Sequence, residues 1–92
     1  MALRMEWSMT GTFSWAAGQT VCDVQEAVDW LDSSVTRVQE HANLPPFEFD
    51  QLGQCARLLR ARMLDEADSA TSRGKQWSAT IGILSMRLTP TG

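Results

Sequence analysis

Every odd position from Leu3 to Ala17 is non-polar: Leu3, Met5, Trp7, Met9, Gly11, Phe13, Trp15, Ala17. The even positions from Arg4 to Ser14 (Arg4, Glu6, Ser8, Thr10, Thr12, Ser14) are all polar. A period of two is strand spacing. Gly11 between two threonines is the natural turn. A loop of odd length, Thr10-Gly11-Thr12, pairs Met9 with Phe13 and Trp7 with Trp15. It keeps the apolar set on one face, where Trp7, Phe13 and Trp15 pack together. A loop of two residues would split that set. Gly18 is expected to break the strand.

From Val21 the spacing becomes helical: Val21, Val24, Val28, Leu31, Val35, Val38, Ala42. The pattern predicts a helix from an N-cap at Thr20 to about Ala42, with Asp23 placed as in a capping box. Asn43-Leu44-Pro45-Pro46 ends it. A second helix is predicted from Phe47–Asp50 to Gly74, with Leu52, Cys55, Ala56, Leu59, Met63, Ala67 and Ala70 as its apolar stripe. Leu58 and Leu64 fall off that stripe and suggest a second contact surface, on the sheet or on a partner. Arg73-Gly74 is a helix-ending signal.

Trp77–Leu88 reads two ways. Trp77, Ala79, Ile81 and Ile83 alternate, after which the phase shifts to Leu84, Met86 and Leu88, as at a bulge. Trp77, Ile81, Leu84 and Leu88 also fit a helix, but Thr80-Ile81-Gly82-Ile83 is a poor helix former. A strand is favoured, with a short helix as the alternative, and Thr89-Pro90-Thr91-Gly92 is expected to be a tail. The fold class is therefore α+β in one domain, residues 1–92: a β-hairpin, two antiparallel helices and a C-terminal strand. A sheet of two or three strands would leave exposed edges.

Composition narrows the functional classes. The chain has 92 residues, 43% of them hydrophobic, and a net charge of −3. No apolar run approaches the roughly 20 residues of a membrane helix, and the alternating N-terminus is unlike a signal peptide. A cytoplasmic protein is the expectation. Residues 1–46 hold two basic and six acidic side chains, and residues 47–92 hold six and five. The acidic half argues against non-specific nucleic-acid binding. Cys22 and Cys55 are expected to be free thiols, one at the open end of a helical hairpin and the other nearer its turn.

No reaction is announced. His41 suits a helix C-terminus, and Cys22, its one suggestive partner, lies about five turns away. Two cysteines and one histidine lack zinc spacing, and the six glycines are scattered rather than gathered in a phosphate loop. No cofactor, metal or catalytic residue is assigned, and the chain is not expected to be an enzyme. Trp30 stands out, off-centre from the helical stripe among Asp23, Glu26 and Asp29, because tryptophan is enriched in interface hot spots. Packing against the sheet or the second helix is the competing reading. Arg57, Arg60 and Leu64 share a face of the second helix, as a basic patch or a solvated surface.

Phe13, Ser14, Ala17 and Gly18, followed by Asp23 and Leu31 in a helix, resemble a family of short uncharacterised two-helix proteins from pseudomonads. The resemblance covers about twenty residues and the two-helix outline. It implies a bacterial, cytoplasmic origin and no particular activity.

The functional expectation is a non-enzymatic protein-binding module of the inhibitor, immunity-protein or antitoxin kind, bacterial or phage-encoded. Its partner-binding residues are Trp30, Asp23, Glu26, Asp29, Arg57, Arg60 and Leu64. Carboxylates would steer the encounter and Trp30 would anchor it. The alternatives are an obligate homodimer and a sensor of a small ligand or nucleotide.

Overall fold

A computed structural model describes residues 2–11 and 14–91. The chain is α+β. Strands β1 (Ala2–Met9) and β2 (Trp15–Val21) precede α1 (Val24–His41) and α2 (Pro46–Arg62). A π-helical turn (Met63–Ala67) and α3 (Asp68–Ser72) follow, then β3 (Trp77–Ile81) and β4 (Leu84–Thr91). The four strands form one antiparallel sheet in the order β2-β1-β4-β3. The helices cover one face of it, α1 over β1 and β2, α2 over β3 and β4. The odd residues of β1 are buried beneath them with Leu84, Met86, Leu88, Trp77 and Ala79, as the period of two requires.

The N-terminal hairpin keeps the expected parity but not the expected register. Trp7 pairs with Ala17 and Met9 with Trp15, two residues further along than the pairing of Trp7 with Trp15. The connecting loop is therefore longer than Thr10-Gly11-Thr12. Phe13, the expected partner of Met9, lies outside the described residues.

Gly18 does not break the strand. It stands mid-β2 opposite Glu6, and a Cβ there would lie 2.9 Å from the Arg4 guanidinium. The missing side chain lets Arg4 cross the outer face of the sheet. β2 consequently runs on to Val21, and the N-cap of α1 is Asp23, not Thr20. Asp23 Oδ1 accepts the Glu26 N–H at 2.8 Å, and Glu26 Oε2 accepts the Cys22 N–H at 3.1 Å. This is the reciprocal logic of a capping box, displaced three residues from its expected place.

α1 ends as its sequence suggests, with Asn43 in the left-handed region (φ 53) just past the C-cap. Pro46 opens α2, where its fixed φ and missing N–H cost nothing. The helix beyond Arg62 is not uniformly α but passes through the π turn. It closes with a Schellman motif: Lys75 N–H to Ala70 O and Gly74 N–H to Thr71 O, both 3.0 Å, with Gly74 at φ 74.

The single C-terminal strand is two strands. Ile81 pairs with Leu84 across Gly82-Ile83, so the phase shift is a hairpin turn and not a bulge. Gly82 supplies the positive φ (58) that the first loop residue of a type II′ turn needs. Thr89-Pro90-Thr91 is no tail, because β4 continues through it and pairs Pro90 with Leu3. Pro90 lies past the end of β3, where its missing N–H disrupts no ladder on that side.

Candidate functional site

The two edges of the sheet differ. β3 is covered on its inner face, and the helix holds it down. Trp77 Nε1 donates to Glu66 Oε1 at 3.4 Å, and Arg62 donates to the same carboxylate at 3.2 and 3.3 Å. Arg62 first, then the Trp77 indole, keeps the Glu66 carboxyl below the ordinary glutamate range. Over β2 the cover given by α1 is incomplete. From Trp15 to Gly18 every residue is exposed, and only Val21 is buried.

β2 carries none of the devices that blunt a strand edge. Its seven residues, Trp-Ala-Ala-Gly-Gln-Thr-Val, include no charge and no proline. Its outward N–H and C=O groups meet no strand among the described residues. On the helix side of the same strand Trp15 is 39% exposed, and Ala17 is exposed beside it.

Trp30 completes this rim. Asp32 reaches Arg60 of α2 (3.8 Å) and Gln39 Nε2 donates to Phe49 O (3.1 Å), which fixes the flank of α1 that meets α2. These pairings also show that the two helices run antiparallel. At about 100° per residue, Trp30 falls on the opposite flank of α1, with Glu26, Arg37 and His41. That flank overhangs β2, because β2 lies on the far side of α1 from α2. Trp30 is 40% exposed there, at the edge of the stripe away from α2.

The seven residues expected to meet a partner therefore do not form one surface. Trp30 and Glu26 lie on the β2 flank, whereas Asp23, the N-cap, lines a shallow concavity with Leu64 of the π turn. Asp29 is exposed, its Oδ1 accepting from Gln25 Nε2 at 3.2 Å. Arg57, Arg60 and Leu64 are exposed on α2 and the π turn, and Arg60 is engaged with Asp32. Leu58 (58% exposed) and Leu64 (50%) turn outward, so neither rests on the sheet. Trp15 and the β2 edge were absent from the expected set. The signal was present: an uncharged run from Trp7 to Cys22, which takes in all of β2, in a chain with 21% charged residues.

Other chemistry is sparse. Cys22 and Cys55 are free, exposed and buried respectively. A hydrogen bond to the Glu26 carboxylate, and its charge, raise the Cys22 thiol above its ordinary range. Cys22 and His41 sit at opposite ends of α1, about 27 Å apart. Among the described residues no group of three His, Cys, Asp or Glu side chains is placed to hold a metal ion, and no helix is long and apolar enough to cross a membrane. The bare outer face of the sheet forms an open concavity of about 660 Å³ lined by Arg4, Glu6, Ser8, Thr80, Ser85 and Arg87, among others. Its charges are largely spent on each other, with Arg87 Nη2 donating to Glu6 Oε2 at 2.7 Å. Comparison with protein-family models, curated proteins and solved structures finds no match for this chain.

Proposed function

We propose that this protein is a non-enzymatic protein-binding module that receives an extended strand of its partner on the free edge of β2. The observation that carries the reading is the uncharged, uncovered β2 edge with Trp15 and Trp30 beside it. Unsatisfied backbone groups on such an edge are a template for another strand. Half-exposed tryptophans supply the apolar anchors that strand pairing alone lacks. Glu26, at the N-terminal end of the α1 flank, favours a basic group beside the incoming strand and raises its rate of encounter.

The test is affinity capture from the source cell with wild type, Trp30→Ala and Ala17→Lys. Ala17 is exposed, so the lysine folds in place and blunts the edge as lysines do on natural edge strands. The reading expects a partner held by wild type and lost in both variants. A partner retained equally by all three would place binding elsewhere.

A further inference from the structure

The flank of α1 that overhangs β2 has polarity along its length. Reading from its N-terminus, it presents Glu26, then Trp30 and Ser33, then Arg37 and His41. All are exposed except Glu26, which is half-buried. Among the described residues Arg37 makes no ion pair. A surface that is acidic at one end and basic at the other, with a tryptophan between, complements its own reverse.

The position of that reversal coincides in α1 and β2. Setting Glu26 opposite a second Arg37 puts the midpoint between Leu31 and Asp32. α1 begins at Val24, so this point lies about 11–12 Å along the helix. β2 runs in the opposite sense, and Gly18 lies about 10 Å back from Val21. One axis perpendicular to the sheet thus passes near both Gly18 and the centre of the charge pattern.

We infer that the strand received by β2 is β2 of a second copy of this chain. The pairing is antiparallel and centred on Gly18, with Glu26 of each copy facing Arg37 of the other. This deepens the strand-addition reading and rests on it. About such an axis Trp15 pairs with Val21, Ala17 with Gln19 and Gly18 with itself. No like charges meet, because β2 has none. An axis normal to the sheet keeps both α1 helices on the same side, so the two Trp30 side chains close over the joint. The interface is isologous and closes as a dimer, because each copy uses its single β2 edge in the pairing.

Charge reversal in two separate chains tests the pairing. Glu26→Lys alone sets lysine against arginine twice, and Arg37→Glu alone sets glutamate against glutamate twice. A one-to-one mixture restores two attractive pairs in the heterodimer. Sedimentation equilibrium across about 1–500 μM is expected to show a wild-type dimer, self-association at least tenfold weaker in each variant, and recovery to within about threefold on mixing. Circular dichroism of each variant separates loss of pairing from loss of fold. A wild-type dimer indifferent to both reversals would overturn the inference by placing its interface elsewhere. A wild-type monomer throughout would overturn it too, and would leave strand addition standing or falling on slowed hydrogen exchange of β2 amides with a captured partner.

Discussion

Gly82→Ala probes the seat of the C-terminal hairpin on α2. Gly82 has φ 58, and a Cβ there would lie 2.7 Å from Cys55 Sγ. The substitution therefore carries two separable costs. Left-handed backbone costs a residue with a Cβ about 1–2 kcal/mol. Restricting the unfolded chain returns about 0.4–1 kcal/mol of that. Forcing a methyl against a buried side chain costs roughly 1–3 kcal/mol more. Cys55 is 6% exposed and has little room to yield. The sum centres near 3 kcal/mol, which for a chain of this size lowers Tm by about 12–24 °C. Urea unfolding of wild type, Gly82→Ala, Cys55→Ala and the double variant forms a closed cycle. With Sγ gone, the cost of Gly82→Ala should fall to the backbone share of about 1 kcal/mol. An equal cost in both backgrounds would refute the reasoning, since the hairpin tip would not then rest on Cys55.

Asp23→Ala removes the N-cap of α1 and should cost about 1 kcal/mol in thermal or urea unfolding, while Asp23→Ser should be close to neutral. Glu66 has a lowered carboxyl pKa in the folded chain, so it adds stability above the unfolded glutamate value of about 4.3 and loses it as pH falls through the lower folded value. Glu66→Gln should therefore flatten the acid limb of a stability–pH curve, and an unchanged limb would count against the Arg62–Glu66–Trp77 contacts. The raised Cys22 thiol should react with an aromatic disulfide at pH 8 more slowly than the same cysteine in the unfolded chain, and Glu26→Gln should speed it.

The alternation of Leu3–Ala17 was enough to place a hairpin and to say which face it buries, because a period of two leaves only the parity to choose. It was not enough to set the register. The loop length depends on the turn, and a shift of two residues leaves every apolar side chain on the same face. The end of β2 was misread because glycine has two uses in a strand. At Gly18 it makes room for Arg4 within the strand, and no turn is formed there. The C-terminal hairpin was hidden by economy: a two-residue turn shifts the hydrophobic phase just as a bulge does, and only the partner strand tells them apart. Trp30 was legible as a residue off the helical stripe. The neighbour that gives it meaning, the open edge of β2, depends on strand order, which periodicity does not encode.

The π turn at Met63–Ala67 has a consequence for chain length. The buried positions Leu59, Met63, Ala67 and Thr71 are evenly four apart. In a regular α-helix each such step overshoots a full turn by about 40°, so three steps would carry Thr71 about 120° off the core. The wider turn absorbs that excess. It keeps Thr71 buried, with its hydroxyl donating to Ala67 O at 2.8 Å. This helix therefore holds one residue more than its path requires, and holds it at a known place. Loss of Leu64 or Asp65 would let the segment relax into an ordinary α-helix with both ends still in phase. Loss of a residue between Leu52 and Leu59 would rotate everything after it. Within this helix, tolerance to a change of length is thus confined to a single turn.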